Sequence, residues 1–288
     1  MINLRNLKLP YQEGFFLYDV LAYNERAVRE AILNAVCHRN YQLPGSVFVK
    51  QYPERIVFES PGGFIGDITP ENVIDRQAAR NRRLAEILGR CGLVERAGQG
   101  MNLIYEECIR EAKTLPDFEG TNEGRVRLTL GATIVDETII KMMNAIGEKA
   151  LSSFSTEDFL CVRAVLLGEK LTAGLRRRAG RLVDLGILER VGRKQVLVAR
   201  KYYKMVGKPG TFTRLKGLDA ETNKELLKRH MRNIGNSGVK LSKFQEVLPA
   251  LDVRQIQWLL QEMRKAGEVF PRGRTNASRW YLAEAPDN

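Results

Sequence analysis

The sequence predicts an α/β domain over residues 1–132. Two smaller domains of helices closed by a hairpin follow, at 133–206 and 220–288, around a linker at 207–219. Three observations carry that reading. Helix-like and strand-like stretches alternate up to residue 132, with two glycine-rich bends between them. After residue 155 the order helix, helix, strand, turn, strand occurs twice. Charge then separates the two parts: residues 1–160 hold 19 Lys+Arg against 22 Asp+Glu, a balance of −3, and residues 161–288 hold 27 against 12, a balance of +15. A mildly acidic part joined to a strongly basic one points to a polyanion as partner of the second. A charged surface that only keeps the protein in solution is the plainer alternative.

Asn24–His38 reads as the first helix, capped by Asn24, with Ala27, Ala31, Leu33, Ala35 and Val36 as its apolar side. Val47–Lys50 and Arg55–Glu59 alternate around Tyr52-Pro53-Glu54 and read as a hairpin ending in the bend Pro61-Gly62-Gly63. Residues 64–79 are mixed. Leu84–Cys91 is a short helix closed by Gly92, and the second bend is Ala97-Gly98-Gln99-Gly100. Met101–Ala112 is helical, and Arg125–Leu130 is the strand that closes the domain. Ile134–Phe154 reads as one helix, after which Ser155 or Thr156 begins another at Glu157–Leu167. Leu171–Leu185 follows, ended by Gly186, and ILERVGRKQVLVARKYY gives strand, turn, strand. The second copy has helices at Ala220–Ile234, Lys240–Val247 and Val253–Ala266, then a hairpin over Glu268–Leu282. Three helices and a hairpin in roughly 60 residues is the order of a winged helix-turn-helix.

Composition excludes several classes. With 44% hydrophobic and 28% charged residues the chain is globular, not disordered. It has no apolar run long enough to span a membrane, and its amino terminus does not read as a secretory signal. Cys37, Cys91, Cys108 and Cys161 are scattered and only His38 and His230 accompany them, so neither a zinc ribbon nor a disulfide framework is expected. That usage suits a cytoplasmic protein.

On the first helix Glu30 and Asn34 lie four residues apart and so share a face, with His38 one turn further. A carboxylate followed by an amide at this spacing suits orienting a water and ligating Mg²⁺ beside a nucleotide, since Mg²⁺ takes oxygen ligands and arrives with phosphates. The two glycine bends suit close backbone approach to a ligand. A Glu/Asn/His face turned to solvent is the competing reading. His38, followed by Arg39, reads as a helix terminus where a cation is favoured, not as a catalytic acid. No Ser/His/Asp order, carboxylate pair or metal cage is found elsewhere.

REAILNAVCHRNY, FESPGGFIGDITPEN and ARNRRLAEILGRCGLVERAGQGMNLIYEEC, in this order, resemble the carboxy-terminal ATPase-like region of RecG-related proteins. Those proteins are known as ATP-dependent DNA helicases or transcriptional regulators and often carry an AlbA/Schlafen-like domain upstream. The resemblance spans about residues 10–131 and implies a Bergerat-like ATPase fold, similar to that of gyrase and histidine kinases, with a mixed sheet covered by helices on one side. It places Glu30 at the general-base position and Asn34 at the Mg²⁺ ligand. Gly62 and Gly63 take the first glycine box, and Gly98 and Gly100 the second, near the phosphates. ATP and Mg²⁺ are the cofactors it implies. Where ATP-using relatives have an Asp that reads the adenine amine, this chain has Ser60-Pro61, so hydrolysis is expected to be weak or absent. No GxxxxGK[ST] motor loop occurs. The chain starts just before this region, without a Schlafen-like domain, as a piece of a longer protein would.

In the basic part, Leu175, Ala179, Leu182 and Leu185 form the expected packing face of the first reader helix. Arg176, Arg177, Arg178 and Arg181 cover the rest, with Arg193 and Lys194 in the following turn. Residues 161–204 hold 12 basic and 3 acidic residues, enough for salt-sensitive attraction to phosphate. In the second copy Val253, Ile256, Leu260 and Met263 are expected inside. Arg254, Gln255, Gln257, Gln261 and Arg264 are expected outside, where Arg and Gln suit base edges. Trp258 reads equally as core, dimer contact or groove wedge, and Arg272, Arg274 and Arg279 belong to the wing. The alternative for both copies is domain packing or protein contact.

The expected function is a DNA-binding regulator of transcription type. Double-stranded DNA is its partner, a homodimer is left open, and no membrane is involved. Its first domain is a sensory or dimerisation module without independent catalysis beyond a weak ATPase. The rivals are an ATP-binding or ATP-hydrolysing DNA-processing protein and a protein-interaction scaffold. A nuclease or helicase accessory is a third.

Overall fold

The computed structural model describes residues 6–13, 16–93, 99–191, 195–199, 201–202, 220–249, 251–273 and 278–283. It is mixed α/β, with small sheets and ten α-helices among the described residues. The chain divides into two units, Met1–Leu188 and Glu189–Asn288.

In the first unit, Asn24 begins α1 (Glu25–Cys37) by accepting from the N–H groups of Arg26 and Ala27 at 3.0 and 3.1 Å. The buried side of α1 is Ala27, Val28, Glu30, Ala31, Ala35 and Cys37, while Leu33 and Val36 stay half-buried. Strands β3 (Phe48–Gln51), β4 (Arg55–Pro61) and β5 (Arg125–Gly131) form an antiparallel sheet with β4 in the centre. Strand period two puts Ile56, Phe58 and Ser60 on one face of β4, and all three are buried. The first helix packs on that face together with α3 (Gly100–Arg110), which supplies Ile104 and Cys108 to the core. The ladders described here are all antiparallel, whereas a mixed sheet was expected; the parallel contact is an isolated bridge, Gly62 to Arg125. A hairpin of β1 (Lys8–Glu13) and β2 (Phe16–Leu21) precedes α1. Pro10 sits inside β1, which hid the strand from the sequence reading because proline marks a strand as an edge or excludes it.

Helix α2 (Arg82–Arg90) buries no residue, and Ile87 is exposed. Beyond residue 132, the expected single helix is split. Gly147, at φ +82°, ends α4 (Glu137–Ile146), and α5 (Glu148–Leu151) is a separate turn. Ser155 caps α6 (Thr156–Leu167) in a capping box with Asp158, and Thr172 caps α7 (Ala173–Asp184). On α7, Ala179 and Leu182 are buried, Leu175 is half-buried and Leu185 is exposed, so the packing face is one turn shorter than expected. Helices α4 and α6 pack on α3, and α7 packs on α6. The unit boundary falls inside β6 (Leu188–Val191), which pairs with β7 (Gln195–Val198).

After that hairpin the second unit continues with α8 (Ala220–Ile234), a 3₁₀ turn at Gly235–Ser237, β8 (Val239–Lys240), α9 (Leu241–Val247), α10 (Val253–Lys265), β9 (Val269–Arg272) and β10 (Arg279–Leu282). The three strands pair antiparallel in the order β8-β10-β9. Leu227, Met231, Phe244, Leu260, Met263 and Trp280 lie in its core. On α10, Leu259 is buried and Val253 exposed, so the inward face is rotated slightly from the one expected.

Candidate functional site: a cavity over the central sheet

A cavity of about 460 Å³ opens over the buried face of β4 in the first unit. Glu30, Asn34 and His38 reach it from α1, Phe58 and Ser60 from β4, and Gly63 from the bend after β4. Gly100 and Met101 reach it from α3. The i, i+4 spacing of Glu30 and Asn34 thus does what the sequence reading required and points both residues at one space. The remaining wall, including Phe64, Ile65, Ile68, Val73, Arg76 and Ala79, comes from the stretch that had no legible period. Its turns are held by Asn72, which accepts from Thr69 N and donates to the carbonyl of Asp67.

Gly100 is the tightest point. A methyl group there would lie 2.0 Å from Glu30 Oε1 and 2.9 Å from Asn34 Nδ2. A side chain there would force Glu30 and Asn34 to move, so glycine lets α3 begin with both in place. The Asn34 amide nitrogen donates toward Met101 Sδ at 3.9 Å, which leaves its carbonyl oxygen as the atom for a cation. Ser60 Oγ donates to the carbonyl of Ala35 at 2.7 Å. Because a carbonyl cannot donate back, the hydroxyl proton is committed and the Ser60 oxygen is an acceptor toward anything else.

Two helices begin at the cavity without a side-chain cap. The side chains of Asn81 before α2 and Gln99 before α3 make no bond to the helix that each precedes, and both Arg82 and Gly100 line the space. Asn81 instead donates to the carbonyls of Cys37 and Arg39, each at 2.8 Å, closing the end of α1. Uncapped N–H groups with the helix dipole behind them favour an anion. Arg82 adds positive charge to the same wall, where Arg76 is paired with Asp67.

The first glycine box serves the fold more than the space. Gly62, at φ +95°, has Asn40 Cβ 2.7 Å from where its own Cβ would be, and it does not line the cavity. Gly63 does line it, but its missing side chain makes room for the backbone of Asn122 and Glu123. Arg80, missed in the sequence reading, ties the region together by donating to the carbonyls of His38 and Gly63 at 3.0 and 2.8 Å. His38 was expected to favour its charged form. Instead burial, and then the positive charge of Arg80, push its pKa below the ordinary value. Gly98 lies outside the described residues.

The basic residues fare differently. On α7, Arg176 and Arg177 are exposed and form no ion pair among the described residues. Arg178 pairs with Glu157, and Arg181 pairs with Asp158 and donates to the carbonyl of Ser153 at 2.8 Å. On α10, Arg254, Gln257, Gln261, Arg264 and Trp258 are exposed, which removes the core reading of Trp258. Gln255 is partly committed: its side-chain oxygen accepts from Asp252 N at 2.8 Å in a capping box. Arg272 stacks over Phe270 and Tyr281, and Arg279 donates to the carbonyl of Ser237 at 2.7 Å. Arg193, Lys194 and Arg274 lie outside the described residues.

Residues 45–130 match the model of a family described as "Putative ATP-dependent DNA helicase recG C-terminal". The match takes in β3, β4, β5, α2 and α3, but not α1 with Glu30 and Asn34. In a crystal structure, the DIP2311 protein from Corynebacterium diphtheriae has a similar fold, with a TM-score of 0.58 at 22% identity. The alignment covers 72% of this chain and 46% of that one, so this chain spans less than half the length of its structural relative. No curated protein matches the chain. No helix among the described residues is long and apolar enough to cross a membrane.

Proposed function

We propose that this chain is a DNA-binding regulator whose first unit holds an adenine nucleotide with Mg²⁺. One observation carries the nucleotide half: Glu30, Asn34, Ser60 and Gly100 converge on one cavity at the uncapped start of α3. The residues present fit that ligand. Ser60, acting only as an acceptor, would take the exocyclic amine, and the carbonyl oxygen of Asn34 the Mg²⁺. The first N–H groups of α3 would take the phosphates. Bound Mg²⁺ would neutralise phosphate charge, and Glu30 is the carboxylate beside it that would orient a water. A neutral serine holds an amine less strongly than a carboxylate does, which fits a binding site with slow or no turnover. The match to a RecG-type carboxy-terminal family supports the same reading.

The DNA half rests on the basic helices. The order of the second unit and its β8-β10-β9 sheet support reading it as a winged helix-turn-helix, with α10 offered to the major groove. For the first copy the chain order alone, helices α4, α6 and α7 and then the hairpin β6–β7, supports the same reading, with α7 as its reader.

Calorimetric titration of ATP with Mg²⁺ into the full chain tests the nucleotide half. Binding that both Asn34→Ala and Gly100→Ala abolish is expected. Absence of any heat at saturating ATP would overturn it. Phosphate release measured on the same samples distinguishes a regulator from a DNA-processing ATPase.

A further inference from the structure

Helix α3 belongs to the cavity at one end and to the later helices along its length. Gly100 opens it against Glu30 and Asn34. Asn102 and Glu106, one turn apart on it, grip the first residue of α6: Asn102 Nδ2 donates to Thr156 Oγ1 at 2.9 Å, and Thr156 Oγ1 donates to Glu106 Oε1 at 2.6 Å. The next two residues of α6 are the acids that hold α7, Glu157 on Arg178 and Asp158 on Arg181. The two pairs differ in burial. The Asp158 side chain is fully buried and fixed by the capping box with Ser155, so Arg181 is an anchor of α7. Glu157 and Arg178 are 33% and 42% exposed, so that pair is open to exchange.

A carboxylate and a phosphate compete for the same guanidinium donors, and the Nε of Arg178 that Glu157 holds is not open to a phosphate while that pair stands. We propose that Glu157 is an intramolecular competitor for DNA phosphate that holds Arg178 back, and that Thr156 keys this gate through α3 to the cavity. The proposal rests on the reading above of α7 as a DNA-binding helix and of the cavity as a nucleotide site. It assigns Arg176 and Arg177 to permanent phosphate contact, Arg178 to conditional contact and Arg181 to the fold.

The test is the affinity of the full chain for a labelled duplex, by fluorescence anisotropy, between about 50 and 200 mM salt. Glu157→Gln is expected to tighten binding and to steepen the slope of log K against log salt by about 0.9, the value of one added phosphate contact. Asp184→Asn controls for bulk charge, because Asp184 is an exposed acid of α7 with no ion pair among the described residues. It should leave the slope unchanged. Adding Arg178→Ala to Glu157→Gln should return the slope to that of the wild type. A gain no larger than that of Asp184→Asn, or one that survives Arg178→Ala, overturns the gate while leaving the DNA reading standing. If neither wild type nor Glu157→Gln binds duplex, the DNA reading falls and the gate with it.

Saturating ATP and Mg²⁺ test the key, with ATP binding followed separately by calorimetry. A shift of about fivefold or more in wild-type DNA affinity is expected. In a Thr156→Val variant that still folds and binds ATP, the shift should disappear. An equal shift in both, or none in the wild type, removes the link through Thr156. Failure of ATP to bind removes the nucleotide reading and the key together, and the salt slopes alone then decide the gate.

Discussion

Helices α7 and α10 stand at the same place in the two helix–helix–hairpin stretches, yet they manage charge in opposite ways. Helix α7 lies in the more basic stretch, but two of its four arginines are spent on Glu157 and Asp158. Helix α10 carries fewer cations and leaves Arg254, Gln257, Gln261 and Arg264 open around Trp258, which is 57% exposed. Its ion pair among the described residues, Lys265 with Glu262, is a local i, i+3 contact of little energetic weight. The packing also differs: α10 buries Ile256, Leu259, Leu260 and Met263, whereas α7 buries Ala179 and Leu182. A count of basic residues therefore overstates what α7 offers a polyanion. On the DNA-binding reading proposed above, the helix with less charge is the one that presents more exposed Arg and Gln side chains without an ion pair among the described residues.

The largest expected effect tests this directly. Arg176/Arg177→Ala should flatten the salt slope of duplex binding by about 2, losing two phosphate contacts without touching an ion pair. Arg254/Arg264→Ala on α10 should flatten it similarly and in addition reduce the difference between duplexes of different sequence. If the α7 pair leaves the slope unchanged, α7 is a packing helix and the comparison collapses to one reader.

A smaller effect separates the units by acid. The His38 pKa is depressed from 6.5, so the unfolded chain binds a proton there before the folded one does. That stabilising contribution is complete above pH 6.5 and is lost as pH falls through the folded value. Burial raises Glu106 and Glu111 from 4.5, and these act with the opposite sign nearer that pH, since the folded form holds their protons more tightly. Denaturant unfolding at pH 7 and 5.5 should show a loss for the first unit that His38→Gln reduces. An unchanged pH dependence in that variant would show that His38 is not the source.

Much of this could be read from the sequence, and the failures have physical causes. Helix α1 was legible with its cap because Asn24 and the alanine face are local signals, and spacing alone put Glu30 and Asn34 on one side. Gly100 was legible as a glycine of the second bend. Its reason, the 2.0 Å approach to Glu30, is a tertiary fact. The wall from Phe64 to Ala79 was illegible because turns set by Asn72 and Arg80 have no period. Strand β1 was hidden by Pro10. The pairing of Arg178 and Arg181 was hidden because their partners lie 21 and 23 residues away. The capping role of Gln255, by contrast, stood in the sequence as Asp252-x-x-Gln255 and was passed over for a base-reading role.

That last point yields the smallest effect and the sharpest distinction, between two neighbouring glutamines of α10. Gln255 Oε1 accepts from Asp252 N while Asp252 Oδ1 accepts from Gln255 N, both at 2.8 Å. Gln257 is exposed and has no such duty. Replacing Gln255 with Ala removes one of the two reciprocal bonds and leaves the Asp252 cap itself. The cost to the second unit should be about 0.5–1 kcal/mol, near the lower end for caps. The variant also loses the Gln255 amide NH₂, which the capping box does not use, so some effect on DNA is tolerable, but stability must fall. Gln257→Ala should leave unfolding within about 0.5 kcal/mol of wild type, as for surface positions generally, and should lower affinity for a preferred duplex more than for an unrelated one. Paired measurements of unfolding and of duplex affinity on the two variants give a crossed pattern if both roles are assigned correctly. Parallel losses in both would mean that the exposed face of α10 acts through helix stability alone, and α10 would then lose its standing as the better reader of the two.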